Sequence, residues 1–143
     1  MLTGRLGNTS GAPYLEAHIF FPRLSVRGLV SFLVDTGADG AIFMPTDSKK
    51  LGIRFQSLRT PTVTAGIGGS ARCFTEQVVL SFSDSKFVYS YLFPVDLAEP
   101  SISNQRIPSL LGRDILNRWR FVLEPSRNLV LFSPRSWDFR RKI

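Results

Sequence analysis

Short segments rich in β-branched and aromatic residues, separated by turns that contain glycine or proline, recur along almost the whole sequence. Such segments are typical of β-strands. Many short strands joined by turns of this kind favour a barrel or a sandwich. We predict strands over residues 14–21, 27–34, 60–64, 72–82, 86–95, 120–124 and 129–132.

Two short helices fit between these strands. One is predicted over residues 46–51, where Thr46 or Asp47 caps the N-terminus and Gly52 ends the helix. The other is predicted over residues 113–118, with an acidic residue in its first turn and a basic residue in its last turn. The expected fold class is therefore all-β with one or two short helices.

The length of 143 residues and a hydrophobic content of 43% suit one domain with its own core. We expect a single domain over residues 1–143, with a core of about 14–132 and a basic tail of 133–143. Cys73 and His18 are the only cysteine and histidine, so neither an intrachain disulfide nor a four-ligand zinc site can form. We expect neither metal nor cofactor.

No segment approaches the ~20 apolar residues of a membrane helix, and the first residues lack the order of a signal peptide. We therefore expect a cytoplasmic protein that does not enter a membrane. Residues 101–143 carry nine basic and only three acidic residues. Such a basic end is either a solvated face or a nucleic-acid contact, and we favour the solvated face over nucleic acid.

The segment Phe32-Leu33-Val34-Asp35-Thr36-Gly37 carries the most informative chemistry. An apolar strand runs directly into an aspartate, which is costly to bury as an anion unless neighbours donate hydrogen bonds or it holds a proton. Thr36 adds a hydroxyl, and Gly37 adds a backbone that another chain can approach closely. This pattern favours an acid–base group at Asp35. The alternative is a turn aspartate that caps backbone N–H groups.

The run Asp35-Thr36-Gly37-Ala38-Asp39 resembles the active-site signature of retropepsins, the retroviral-type aspartic proteases. Ile67-Gly68-Gly69 lies where that family has a glycine-rich flap. Leu110-Leu111-Gly112-Arg113-Asp114 resembles the run that opens the family's C-terminal helix, and a hairpin over residues 120–132 follows. The resemblance spans about residues 14–132 and implies a retropepsin-like acid-protease barrel with a flap hairpin.

The resemblance also implies roles for individual residues. Asp35 would be the catalytic aspartate, Thr36 would join the two active-site loops of a dimer, and Gly37 would bind the substrate backbone. The residues implied on the substrate side are Ala38, Asp39, Ile67, Gly68 and Gly69. The residues implied to be structural are Gly112, Arg113 and Asp114, with Arg113 paired to Asp39. Gly40 departs from the retroviral pattern, where another acidic residue often follows.

Two of these segments also have simpler interpretations. Residues 67–69 could be an ordinary hairpin loop. Residues 112–114 could be a helix start with charged groups that face solvent.

The chemistry of an aspartic protease needs two carboxylates, and this chain has one Asp-Thr-Gly and no Asp-Ser-Gly. The count excludes a two-lobed monomer and implies a homodimer that hydrolyses a peptide or protein substrate. By analogy with the family, residues 1–6 and 129–132 would interleave at the dimer interface. The alternative function is a catalytically silent module that binds peptides or dimerises on the same fold.

Overall fold

The computed structural model describes residues 1–66 and 69–143. Two short α-helices lie among the strands, α1 (Pro45–Lys50) and α2 (Arg113–Leu116). The strands within the described residues are β1 (Leu2–Thr3), β2 (Arg5–Leu6), β3 (Pro13–Phe21), β4 (Val26–Val34), β5 (Ile42–Phe43), β6 (Pro61–Gly66), β7 (Gly69–Ser83), β8 (Phe87–Ala98), β9 (Leu110–Leu111), β10 (Trp119–Glu124), β11 (Leu129–Pro134) and β12 (Phe139–Lys142).

Six of these strands close into a barrel. Around the ring, β3 pairs with β4, β4 with β9, β9 with β5, β5 with β8, β8 with β7, and β7 again with β3. The pairs β4–β9 and β5–β8 are parallel, and the other four pairs are antiparallel. A closed ring leaves no open edge among its own members. The prediction of an all-β barrel with two short helices is confirmed.

Three strands extend the barrel and three form a separate sheet. β12 adds to β8, β6 adds to β7, and β2 adds to β3. The separate sheet has the order β1-β11-β10, in which both pairings are antiparallel.

The barrel core comes from the alternation of side chains along each strand. On β3, Leu15, Ala17, Ile19 and Phe21 are buried, because successive side chains of a strand point to opposite faces. At one part of the core the indole N–H of Trp119 donates to the Tyr91 hydroxyl at 2.7 Å. That hydroxyl donates in turn to the carbonyl oxygen of Ser136 at 2.9 Å. The buried polar atoms of this cluster are therefore paired.

The helix starts differ from the predicted ones. α1 begins at Pro45, and Met44 is its N-cap without a side-chain capping bond, so the predicted caps Thr46 and Asp47 are wrong. Proline suits the first helical position because its missing N–H has no partner there anyway. Gly52 follows the helix with φ +75°, a conformation that favours glycine. α2 ends at Leu116, two residues before the predicted end.

The chain ends belong to the sheets. Leu2 is 1% exposed and lies in the core, so the core extends beyond residues 14–132. β1 pairs with β11 of the same chain, with Leu2 opposite Phe132. β12 pairs along β8, and the Arg140 guanidinium lies over the rings of Phe87 and Trp137.

The longer helix, α1, has six residues. In the part of the chain that the structure describes, no helix has the length and apolar character needed to cross a membrane.

Candidate active site

Asp35 follows the last residue of β4, where this strand runs parallel to β9. The N–H of Asp35 donates to the carbonyl oxygen of Leu111 at 3.0 Å, and the N–H of Leu33 donates to that of Ser109 at 2.9 Å. These main-chain bonds continue the ladder between β4 and β9 past the strand end. The position of the aspartate is therefore set by the barrel and not by a free loop.

The residues after Asp35 form a turn around its carboxylate. The N–H of Gly37 donates to Asp35 Oδ1 at 2.9 Å, and the N–H of Ala38 donates to the Asp35 carbonyl oxygen at 3.2 Å. A Cβ at residue 37 would lie 3.2 Å from Oδ1, which is tight for a carbon–oxygen contact. Thr36 and Gly37 are exposed, whereas Asp35 is half-buried. The turn thus orients the carboxylate and leaves the tip of the loop accessible.

Arg113 joins the start of α2 to this loop. Its Nη1 donates to the carbonyl oxygen of Thr36 at 2.8 Å, and its Nη2 forms an ion pair with the Asp39 carboxylate. The backbone N–H of Arg113 donates to the carbonyl oxygen of Ala38 at 2.9 Å. The pair that the resemblance implies between Asp39 and Arg113 is thus present, and it also fixes the backbone next to Asp35.

Asp114 and Gly112 hold the far end of the same loop. Asp114 Oδ2 accepts the Ala41 N–H at 3.1 Å, and Oδ1 accepts the Ile115 N–H at 2.9 Å. Loss of hydration raises the pKa of Asp114 above its ordinary value, because these hydrogen bonds offset it only in part. Gly112 approaches the Gly40 backbone so closely that a Cβ there would overlap it. The loop from Asp35 to Ala41 is therefore fixed at both ends.

An open cleft of about 800 Å³ lies beside this loop. Its lining includes Asp35, Asp39, Ile42, Thr64, Asp96 and Leu110, which come from the loop of residues 35–41 (the active-site loop) and from β5, β6, β8 and β9. A second cavity of about 440 Å³ shares Ile42, Thr64 and Ala71 with the cleft and continues it toward residues 98–107. A site of this volume accommodates several residues of an extended peptide.

The structure brings most of the predicted site residues together. Asp35, Gly37, Ala38 and Asp39 line the cleft, and Thr36, Gly112, Arg113 and Asp114 lie directly behind it. Gly69 begins β7 and is paired with Gly66 of β6. Ile67 and Gly68 lie outside the described residues. The functional roles of all these residues stay predictions.

Asp96, which also lies in the cleft, was not among the predicted site residues. It is half-buried and accepts hydrogen bonds from the hydroxyls of Thr64 and Thr75, each at 3.0 Å. A signal was available, because Asp96 is the one charged residue in the sequence of β8. Charged residues inside otherwise apolar strands are seldom buried without a partner or a function.

Comparisons with known proteins agree with this geometry. The aspartyl protease family model matches residues 27–115. The solved structure of a retropepsin-like aspartic protease from Rickettsia conorii is 18% identical, with 89% of this chain and 94% of that chain covered and a TM-score of 0.57. EIAV protease in complex with the inhibitor HBY-793 is 22% identical, with 78% and 90% covered and a TM-score of 0.52. No curated protein matches the sequence.

The two solved structures share the fold of this chain, and the family model spans more than half of its sequence. The matched segment begins at the start of β4 and ends in α2, so it contains Asp35, Arg113 and the whole loop between them. The chain therefore belongs to the aspartyl protease family and has a retropepsin-like fold.

Proposed function

We propose that this chain is the subunit of a homodimeric aspartic endopeptidase, in which Asp35 meets Asp35 of the partner subunit. The observation that carries the proposal is the placement of Asp35. Its backbone is held by the β4–β9 ladder, its carboxylate is oriented by Gly37, and it lines a cleft large enough for a peptide. Each chain supplies one such carboxylate, so two-fold symmetry supplies the second.

The proposed reaction uses the two carboxylates in different protonation states. The ionised one takes a proton from water as the water attacks the peptide carbonyl carbon, and the protonated one donates its proton to the carbonyl oxygen. Aspartic proteases are the standard case in which two carboxylates in contact share one proton, because both cannot easily ionise. The two apparent pKa values then belong to the pair.

An outer strand in the described part of the chain supports the proposed assembly. In the β1-β11-β10 sheet β10 is an outer strand of six residues, whereas the other outer strand, β1, has two. Antiparallel pairing of β10 with its copy, centred on Val122, would place Arg120 opposite Glu124 of the partner subunit. The same register places Phe121 opposite the partner's Leu123. Opposite charges and apolar pairs at facing positions stabilise such a contact.

The substrate in this proposal is an extended peptide. The cleft is bordered by β6 and by the active-site loop, whose exposed Gly37 carries no side chain that would keep a second backbone away. Main-chain hydrogen bonds between the peptide and the enzyme would give affinity, and side-chain pockets would give specificity.

The test compares the wild-type protein with Asp35→Asn on a mixed peptide library between about pH 4 and pH 8, with and without pepstatin. Glu16→Gln is the matched control, because Glu16 is an exposed carboxylate outside the cleft. We expect cleavage by the wild type and by the control, inhibition by pepstatin, and no cleavage by a folded and dimeric Asp35→Asn protein.

Two outcomes would count against the proposal. Residual cleavage by Asp35→Asn would refute the role of Asp35. No cleavage by a dimeric wild-type protein at any pH would instead favour a silent peptide-binding module.

A further inference from the structure

Asp96 occupies an unusual position for a charged side chain. Its Cα lies in register with Thr75 of β7 on one side and with Ile42 of β5 on the other, inside the barrel wall. Its Oδ1 accepts the hydroxyl of Thr75, and its Oδ2 accepts the hydroxyl of Thr64. The carboxylate is therefore held in a defined orientation, and it lines the same cleft as Asp35.

No cation compensates this carboxylate within the described chain. None of the ion pairs formed by residues 1–66 and 69–143 includes Asp96. The two remaining residues, Ile67 and Gly68, carry no cationic side chain either. The charge of Asp39, in contrast, is compensated by Arg113. Asp96 thus contributes an uncompensated negative charge to the cleft of a chain whose net charge is +7.

The carboxylate also has hydrogen-bonding capacity left. An ionised carboxylate offers about four lone-pair sites, and the two threonine hydroxyls occupy two of them. A lysine or arginine side chain that enters the cleft could fill the others and supply the missing charge. Attraction between charges is stronger in a half-buried cleft than on an open surface, because fewer water molecules screen it.

We propose that Asp96 is a specificity-determining residue, which selects a lysine or arginine side chain of the peptide substrate. The inference rests on the proposed function, because it assigns a side-chain pocket within the same cleft. In a symmetric dimer each subunit contributes one Asp96, so a basic residue is selected on either side of the bond that is cleaved. Gly40, which lines the cleft without a side chain, does not obstruct the approach.

A structural role for Asp96 makes a different prediction. Its two hydrogen bonds connect β6 and β7 to β8, so any substitution could loosen the strands that border the cleft. Loosening lowers the rate for all peptides, whereas loss of the charge lowers it only for peptides with a cationic side chain. The discriminating readout is therefore the ratio of two kcat/KM values and not activity itself.

The experiment uses peptides of one sequence that carry lysine, arginine or norleucine at successive positions. We expect the wild type to prefer lysine or arginine over norleucine by about tenfold at two positions, one on each side of the cleaved bond. Asp96→Asn, which keeps the shape and one of the two acceptor oxygens, loses the preference. Added salt weakens the preference of the wild type. Thr75→Val is the matched control: it removes one hydroxyl bond but no charge, and it retains the preference.

Three outcomes would overturn the inference while the proposed function stands: cleavage without any preference for a basic residue, an unchanged preference in Asp96→Asn, or an equal loss of preference in Thr75→Val.

If no peptide is cleaved, the proposed function fails, and calorimetry with Asp35→Asn and the same peptides then decides the inference. The inference is supported if Asp35→Asn binds the lysine peptide more tightly than the norleucine peptide and the Asp35→Asn, Asp96→Asn double variant does not. Equal binding of the lysine and norleucine peptides overturns it.

Discussion

Gly112 lies against the backbone of Gly40, and a Cβ at residue 112 would be 2.5 Å from both the carbonyl carbon and the carbonyl oxygen of Gly40. No side chain fits in this space, because real Cβ atoms do not approach backbone so closely. The contact joins the start of α2 to the active-site loop. Glycine at residue 112 is thus a requirement of the close approach.

Gly112→Ala should lower the free energy of unfolding by about 2–3 kcal/mol, because the added methyl group forces the active-site loop and α2 apart. Gly52→Ala is the comparison: Gly52 has φ +75° but no atom within 4 Å of a built Cβ, so only backbone strain of about 1 kcal/mol is expected. Urea denaturation measures both. If Gly112→Ala lowers the free energy of unfolding no more than Gly52→Ala does, the steric explanation is wrong.

Arg113→Lys should lower kcat/KM about tenfold or more while the melting temperature changes little. The guanidinium reaches Thr36 and Asp39 with two different nitrogens, and a lysine ammonium cannot reproduce this fork. The ion pair is exposed, so it contributes little to stability itself. Arg118→Lys, at the distant ion pair with Asp138, is the control and should retain activity. Similar kinetic losses in both variants would argue against a positioning role for Arg113.

Tyr91→Phe should destabilise the fold by about 2 kcal/mol, because it leaves the buried Trp119 N–H without a partner and removes the hydrogen bond to the Ser136 carbonyl oxygen. The same burial raises the pKa of Tyr91 above its ordinary value. Tyr89→Phe, two residues earlier on β8, removes only a 3.5 Å contact and should cost about 0.5 kcal/mol or less. Thermal unfolding of the two variants tests the difference, and equal shifts would contradict it.

Asp84 should make the stability depend on pH. Loss of hydration alone would raise its pKa, but hydrogen bonds from the N-terminal ammonium of Met1 and from the N–H groups of Lys86 and Phe87 lower the pKa from 3.8 to about 2. A lowered pKa contributes stability that is present above pH 3.8 and is lost as the pH falls through about 2.

Asp84→Asn should therefore be less stable than the wild type near neutral pH, by on the order of 1 kcal/mol. The difference should narrow as the pH falls through about 2. Denaturation curves at several pH values measure it. If the stability difference between the wild type and Asp84→Asn is the same at the highest and the lowest pH, Asp84 does not act through its charge.

The proposed pairing of β10 with its copy can be tested by a charge exchange. Arg120→Glu and Glu124→Arg should each weaken the dimer about tenfold or more, because each places like charges opposite one another in the antiparallel register. The double variant restores opposite charges and should recover the dimer. Sedimentation measures the association constant, and a double variant no better than the single ones would exclude this register.

The strand pattern was readable from the sequence because most of the predicted segments alternate between core and solvent. β7 and β8 nevertheless extend beyond their predicted ranges, to Gly69–Ser83 and Phe87–Ala98. Residues 69–71 of β7 pair with β6, and the extra residues of β8 pair with β7, from Asp96 opposite Thr75 to Ala98 opposite Cys73. Closure of the ring depends on such long-range pairs, which local propensity does not encode.

The part of the site that lies in one short sequence motif was predictable. The part that the fold brings together from distant strands was missed. Asp35 and Gly37 are only two positions apart in the sequence, so their hydrogen bond follows from a local turn. Asp96 reaches the cleft only because β5 and β8 run in parallel, 54 positions apart at the register of Ile42 and Asp96. The sequence around residue 96 does not indicate that Asp96 lies next to Ile42.

The strand β12 changes how copies of this chain can associate. It covers the outer edge of β8 and replaces that edge with one that carries Arg140, Arg141 and Lys142, all exposed. Consecutive like charges on an edge oppose the addition of another strand. An assembly that grows from two sides of a subunit becomes an open-ended fibre, whereas one that grows from a single self-complementary side stops at two. In the proposed dimer, part of the positive charge near the end of the chain would therefore oppose growth into a larger assembly.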